Sequence, residues 1–350
     1  MYGANVLVVG GAGFVGSNLC KKLLESDINS LIIVDNFLSS VSESLPMDQR
    51  TKFLLGSIAD DKVLKQVGSK IDFVFHLATY HGNQSSIINP IDDHANNTFT
   101  TLKLCEHFKN NRNLKKLVYS SAGCTVAKKE YGFVEASDEV DEVSLYHDSP
   151  YQISKIIGEF YGNYYYKRHG LPFVKARFQN VYGPGEILGA GEWRGSSASV
   201  WRNVIPTFIW KSIHNESLPV ENNGLASRDF IYVEDVVEGL VRCATKGTVG
   251  EVYNIASGVE TTIDQLATII NKVTKNSKEV NYTNARTWDR SGNRFGSTEK
   301  TKKEIGFKAS SLLEDGITNT VLWTYENKSL IRKNMLRHIK HLPDLKKYSL

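Results

Sequence analysis

A tyrosine and a lysine four residues apart could act together as an acid and a base. Tyr151 and Lys155 lie in the segment SPYQISK, where Ser149 can cap a helix and Pro150 suits its first position. Residues at this spacing project from one face of a helix. A phenol has a reference pKa of about 10, and a neighbouring ammonium and the positive helix terminus favour its ionised form. The pair is predicted to transfer protons near neutral pH.

A glycine-rich turn near the start of the chain could hold a phosphate group. The segment VLVVGGAGFVGSNL places Gly10, Gly13 and Gly16 between an apolar run and a helical pattern. Gly10 permits a tight turn, Gly13 permits close approach of a pyrophosphate, and Gly16 lets the helix pack on the sheet. Asp35 ends the next apolar run, where a carboxylate accepts hydrogen bonds from the ribose of adenosine. An acid there repels the 2′-phosphate of NADP, so NAD is the predicted cofactor.

The elements that must position these residues alternate in type. Segments of helical spacing separate five short apolar runs, which are residues 5–9, 30–34, 72–78, 115–120 and 172–178. This alternation predicts an α/β fold with a Rossmann-type, doubly wound parallel sheet. Residues 185–203 are rich in Gly and Ser without a sustained period, which predicts a loop.

The predicted units are discontinuous in sequence. Residues 1–180 with about 228–256 are expected to form the NAD-binding domain. Residues 181–227 with about 257–325 are expected to form a smaller substrate-binding lobe towards the C-terminus. Residues 326–350 form a basic, helix-compatible tail, which is predicted to be a solvated or dimer-contact helix.

Composition restricts the class of protein. Lys and Arg number 42 and Asp and Glu 38 in 350 residues, and this net charge of +4 is too weak to indicate a nucleic-acid partner. The four cysteines, Cys20, Cys105, Cys124 and Cys243, match neither a disulfide framework nor a metal-site spacing. No apolar run reaches the ~18 residues of a membrane span. A cytoplasmic protein without a metal site or a membrane segment is expected.

Several motifs occur together in one order: GGAGFVG, FHLAT, NNTFTT, SSAGC, YQISK, ARFQNVYGP and SRDFIYVEDV. Across roughly residues 4–325 the sequence resembles the extended short-chain dehydrogenases/reductases, specifically nucleotide-sugar epimerases and dehydratases such as UDP-glucose 4-epimerase. The resemblance implies bound NAD, a nucleotide-diphosphate-sugar substrate and a homodimer. The cofactor contacts that it implies are Gly10, Gly13, Phe14, Val15, Gly16, Asp35, Asn36, Ser57, Ile58, Leu77, Ala78, Thr79, Asn97, Ser120, Tyr151, Lys155 and Phe178.

The same resemblance implies a set of substrate contacts. Asn180, Arg228 and Arg290 correspond to residues near the substrate diphosphate, and an arginine presents a fork of donors that suits two phosphates. Ser121 corresponds to the active-site hydroxyl that binds the sugar oxygen being oxidised. Ser120 and Thr125 are further candidates for that hydroxyl.

The residues after Ser121 bear on the reaction. Relatives that are 4,6-dehydratases keep a Glu just after the active-site hydroxyl, whereas here Ala122 and Gly123 follow, so dehydration is disfavoured. The predicted reaction is inversion at C4 through a transient 4-keto-sugar, with Tyr151 as acid and base. Because SSAGC resembles the SSAC of GDP-mannose 3,5-epimerase, the sequence is also compatible with a C3/C5 epimerase that uses Cys124. A 4-dehydrogenase, a 4,6-dehydratase and a non-catalytic NAD-sensing protein are compatible with the same fold.

Overall fold

A computed structural model describes residues 1–123, 131–132, 134–285, 289 and 292–349. The strands, in chain order, are β1 (Asn5–Val9), β2 (Ser30–Asp35), β3 (Thr51–Leu55), β4 (Phe73–His76), β5 (Lys116–Ala122), β6 (Phe173–Phe178), β7 (Asn180–Tyr182), β8 (Pro219–Glu221), β9 (Ser227–Tyr232), β10 (Val252–Ile255), β11 (Glu260–Thr262) and β12 (Asn281–Thr283). The five apolar runs of the sequence correspond to β1, β2, β4, β5 and β6, as predicted.

The helices vary from one turn to more than five turns. They are α1 (Phe14–Leu24), α2 (Asp61–Val67), α3 (Asn83–Ile88), α4 (Pro90–Asp93), α5 (Thr100–Phe108), α6 (Pro150–His169), α7 (Val204–Ile213), α8 (Val233–Thr245), α9 (Ile263–Thr274), α10 (Glu299–Ile305), α11 (Leu313–Glu326) and α12 (Lys328–Leu336). A π-helical turn, His94–Phe99, joins α4 to α5. None of the described helices is long and apolar enough to cross a membrane.

Seven parallel strands form the main sheet, in the order β10-β6-β5-β4-β1-β2-β3. The chain order reverses direction beside β1, which is the topological switch point of a doubly wound sheet. Helices cover both faces, so the strands are apolar nearly throughout. This confirms the predicted α/β, Rossmann-type fold. All carboxyl ends of these strands lie along one edge.

Two smaller sheets lie outside the main sheet. One contains β11, β9 and β7, and the other pairs β12 with β8. A separate apolar core packs α7, α9 and α11 against these strands. The predicted cofactor-binding unit included β9, but this strand pairs with β7 and β11, while α8 and β10 pack with the main sheet. The domain boundaries remain predictions.

The C-terminal tail is not a solvated helix, so that part of the prediction is wrong. Ile331, Met335, Leu345 and Tyr348 are buried. They belong to an apolar cluster, named here the loop–tail cluster, that contains Val41, Ile187, Leu188, Ala190, Val200, Trp210, Ile331, Met335, Leu345 and Tyr348. The sequence did not indicate this apolar face, because basic residues dominate the composition of the tail. The residues that the face packs against lie more than a hundred residues away in sequence.

Candidate functional site

A cavity of about 780 Å³ opens along the carboxyl edge of the main sheet. The ends of β1, β2, β4, β5 and β6 line it, together with the start of α6 and parts of residues 185–203. A crevice at this edge is where open α/β sheets bind their ligands. The predicted cofactor contacts Gly10, Asp35, Ser57, Leu77, Ser120, Tyr151 and Phe178 all line this one cavity.

The glycine turn leaves the cavity next to α1 free of side chains. Gly10 has a φ of +87°, and a Cβ there would lie 2.5 Å from the backbone nitrogen of Ala78. A Cβ at Gly16 would lie 2.1 Å from the carbonyl oxygen of Gly10. Gly13 caps α1 without a side-chain hydrogen bond, so the first turn of the helix can direct its backbone N–H groups at an anion. The turn therefore fits a dinucleotide pyrophosphate.

Asp35 organises the loop that surrounds this turn. Its Oδ2 accepts a hydrogen bond from Ala12 N at 3.0 Å, and its Oδ1 accepts from Phe37 N at 2.9 Å and from Ser40 Oγ at 2.7 Å. The carboxylate therefore fixes the glycine turn and the segment after β2 to each other. Its predicted contact with a ribose stays a prediction.

Asn97 holds the segment that follows β4. It is buried, and its Oδ1 accepts from Tyr80 N at 2.6 Å and from Thr79 Oγ1 at 3.0 Å. Its Nδ2 donates to Asp93 Oδ1 at 2.7 Å and to Ser154 Oγ at 3.2 Å. The amide therefore links the cavity wall at Thr79 to α6.

Tyr151 and Lys155 lie at the start of α6, which begins as the sequence predicted. The Ser149 side chain accepts from Gln152 N, and Pro150 occupies the first helical position. The buried Lys155 donates from Nζ to the carbonyl oxygen of Ser120 at 2.8 Å. The same Nζ lies 5.7 Å from the centre of the Tyr151 ring. The ammonium is thus close enough to favour the phenolate.

Ser121 lines the cavity, but its hydroxyl has an acceptor inside the protein. Its Oγ donates to Glu159 Oε1 at 2.5 Å. Both Glu159 oxygens also accept from Arg177, at 2.8 Å each, and all three residues are buried. To donate to a sugar oxygen, the Ser121 hydroxyl would have to rotate away from this ion pair. Ser120 Oγ likewise donates to the carbonyl oxygen of His76 at 2.9 Å. The third candidate, Thr125, lies outside the described residues, as does Cys124.

The cavity continues beyond the main sheet to the smaller sheets. Asn180 and Arg228 line it there, as does Arg294, which the sequence analysis missed. Arg228 donates from Nη1 to the carbonyl oxygens of Ser227 and Gly292 at 2.6 Å each, and its Nη2 lies 3.6 Å from Asp289 Oδ2. Arg290 lies outside the described residues.

Comparison with known proteins agrees with this geometry. The model of the family described as "NAD dependent epimerase/dehydratase family" matches residues 6–256. The chain belongs to this family. It is similar to the Bordetella bronchiseptica enzyme WbmF, whose structure contains NAD⁺ and UDP: the identity is 53%, the TM-score is 0.89, and 98% of each chain is covered.

Two curated relatives differ in their described reactions. A putative UDP-glucose 4-epimerase of Methanocaldococcus jannaschii is 28% identical over 92% of this chain and 99% of its own. A mouse dTDP-D-glucose 4,6-dehydratase is 30% identical over 93% of this chain and 90% of its own. NAD is the cofactor of the family, as the sequence predicted, and its members include both reaction types.

Besides Arg294, two further ionisable residues of the cavity, His81 and Glu186, were not predicted from the sequence. The ring of His81 lies 6.2 Å from that of Tyr151, edge to face, and burial together with the nearby Arg202 lowers the pKa of His81 to about 3. The imidazole is therefore neutral at physiological pH and is a weak base. Burial raises the pKa of Glu186 to about 7. The sequence feature that could have indicated His81 was its position shortly after the FHLAT motif.

Proposed function

We propose that this protein is an NAD-dependent nucleotide-sugar epimerase that inverts C4 through a transient 4-keto-sugar. The observation that carries the proposal is the Tyr151–Lys155 pair, which faces the same cavity as the glycine turn and Asp35. WbmF, at 53% identity, was crystallised with UDP, so we propose a uridine nucleotide for the substrate. The three described cysteines are free and buried, which suits the reducing cytoplasm that we propose as its location.

The residues of the chain divide between binding and proton transfer. The glycine turn would hold the pyrophosphate of NAD, and Asp35 its adenosine ribose. When bound, NAD supplies the acceptor and donor of a hydride. Tyr151 takes the proton of the C4 hydroxyl and later returns it, and Lys155 stabilises the phenolate between these steps. Asn180 and Arg228 bind the substrate diphosphate.

The end of β5 supports epimerisation over dehydration. Elimination across C5 and C6 needs an acid beside the hydroxyl that binds the sugar. The strand ends instead with Ala122, and Gly123 follows it against the Gln179 side chain. Inversion at C4 needs no carboxylate in this place, because the keto-sugar only has to turn so that the hydride returns to the opposite face of C4.

Inversion at C5 or C3 is a second candidate, because SSAGC at residues 120–124 resembles the SSAC of GDP-mannose 3,5-epimerase. His81, whose ring lies edge to face with that of Tyr151, lines the same cavity and is a further candidate to contact the sugar. Cys124, which lies outside the described residues, would then be the candidate acid and base for carbon.

A panel of nucleotide sugars tests the proposal. UDP-, dTDP-, GDP- and CDP-hexoses are incubated with the protein, and the products are analysed by NMR. We expect one UDP-sugar to be converted to its C4 epimer without net formation of NADH. A 4-keto product with stoichiometric NADH would identify a dehydrogenase, and a 6-deoxy-4-keto product would identify a dehydratase.

We also propose a homodimer formed through α6 and its neighbours. α3, α4 and α6 pack side by side, and together they expose Ile88, Ile91, Ile153, Phe160 and Tyr164. A patch of this kind indicates an interface, and a second copy of the chain would bury it around a two-fold axis. The apolar residues are spaced along the outer face of α6 and therefore suit helix-to-helix packing.

Phe160→Glu is expected to convert the dimer to a monomer, because it places a charge in this apolar patch, which the interface would bury. Light scattering coupled to gel filtration measures the mass. Leu312→Glu is the matched control, since Leu312 is also exposed but lies on another surface. A wild-type protein that is monomeric at micromolar concentration would exclude the proposed interface.

A further inference from the structure

The loop at residues 185–203 forms one wall of the cofactor cavity. Its residues Gly185, Glu186, Ala190 and Arg202 line the cavity that also contains the glycine turn. At its start, Asn18 of α1 donates from Nδ2 to the carbonyl oxygens of Phe14 and Pro184, at 3.0 Å each. The loop therefore passes directly beside the first turn of α1, where the pyrophosphate site was identified.

The loop is tied to the segment that follows Asp35. Glu192 N donates to the carbonyl oxygen of Leu38 at 3.0 Å. Arg202 Nη1 donates to the carbonyl oxygen of Ser39 at 2.8 Å, and Arg194 Nη1 to that of Leu38 at 3.2 Å. Leu38 and Ser39 themselves line the cavity. The loop thus closes the cavity against the segment that Asp35 holds in place.

The C-terminal tail covers the outer side of this loop. Ile187, Leu188, Ala190 and Val200 of the loop pack against tail residues in the loop–tail cluster. His338 Nε2 lies 2.8 Å from the carbonyl oxygen of Gly189. A Cβ at Gly189 would lie 2.7 Å from the Met335 Cα, so loop and tail backbones are in direct contact. The Trp193 ring stacks on that of His341, with centroids 4.5 Å apart.

We propose that residues 328–348 are a latch that holds the loop 185–203 over the NAD site and thereby slows release of the cofactor. The loop is rich in glycine, and without a cover its backbone would have much conformational freedom. Docking of the tail removes that freedom. To open the cavity on this side, the loop must separate from the tail within the loop–tail cluster. The exchange rate of NAD therefore depends on tail residues that do not line the cavity. The inference needs NAD in this cavity and does not depend on which reaction follows.

The test measures how fast bound NAD exchanges in the full-length holoenzyme. The protein is mixed with an excess of isotopically labelled NAD, and the bound fraction is followed by mass spectrometry after rapid desalting. Leu345→Ala leaves a cavity in the latch at a residue that is 1% exposed. We expect exchange at least tenfold faster than in the wild type. Leu312→Ala, the same change at a residue that is 70% exposed, is the matched control and should exchange at the wild-type rate.

Two further variants separate the latch from a general loss of folding. His341→Ala removes an exposed side chain that stacks on the loop, and it should accelerate exchange about threefold without lowering the melting temperature of the apoprotein appreciably. Arg202→Met removes the anchor to Ser39 and should accelerate exchange as Leu345→Ala does. Folded Leu345→Ala and His341→Ala proteins that both exchange NAD at the wild-type rate would overturn the proposal. The product of the reaction has no bearing on this result.

Discussion

Tyr151→Phe is expected to lower kcat by about 10²–10⁴-fold while leaving the affinity for NAD nearly unchanged. The substitution removes one oxygen and keeps the ring that packs against His81 and lies beside Lys155. Without the hydroxyl, no group at this position can take the proton of the C4 hydroxyl. Steady-state kinetics give kcat, and a titration of the apoprotein followed by intrinsic fluorescence gives the dissociation constant of NAD.

Tyr164→Phe is the control for this variant, because Tyr164 is an exposed tyrosine on the same helix. It should retain wild-type kcat. If Tyr151→Phe also retains near wild-type kcat, Tyr151 is not the acid and base. His81→Gln would then be the next variant to examine, since the His81 ring packs against that of Tyr151 and lines the same cavity.

Lys155→Met is expected to lower kcat by at least about 10²-fold and also to weaken NAD binding about tenfold or more. The reason is that one ammonium is expected both to stabilise the Tyr151 phenolate and to contact the bound NAD. The side chain is buried, and its Nζ bonds the Ser120 carbonyl oxygen and lies near the rings of Tyr119 and Tyr151. Methionine fills a similar volume without a charge, so the phenolate loses its nearest cation. The pH profile of kcat/KM should shift to higher pH as the pKa of Tyr151 rises.

Lys167→Met provides the comparison on the same helix. Lys167 also lies over a tyrosine ring, that of Tyr166, but at the exposed end of α6. Its replacement should change neither kcat nor NAD affinity. A Lys155→Met protein that binds NAD like the wild type and loses only kcat would restrict the role of Lys155 to the phenolate.

The part of the site that could be predicted from the sequence depends on local patterns. The glycine turn, the end of β2 at Asp35 and the start of α6 are each specified within about ten residues by spacing and capping. The parallel sheet then brings their functional groups to one edge, because its carboxyl ends must coincide. This is why the glycine turn, Asp35 and Tyr151 line one cavity although they are far apart in sequence.

The contacts that were not predicted connect segments that are distant in sequence, and the composition of these segments suggested exposure to solvent. Glu159 is 38 residues from Ser121 and 18 from Arg177, and nothing local in YQISKIIGE indicates that its carboxylate is buried. His338 is 149 residues from Gly189. The loop 185–203 was predicted to be a loop, and it is one. Ile187, Leu188, Ala190 and Val200 of this loop are buried because the tail supplies the other half of their core.

The most direct test of C4 inversion is the conversion of the accepted UDP-sugar in D₂O, with deuterium located by NMR and mass spectrometry. The proposed reaction moves the C4 hydrogen only as a hydride, which does not mix with solvent, so the product should carry no deuterium on carbon. Inversion at C3 or C5, or dehydration, requires a carbon next to the ketone to exchange a proton with a side chain, and solvent deuterium would enter there. Deuterium at C5 of the product would contradict C4 epimerisation, and the structure of that product would then distinguish inversion at C5 from dehydration.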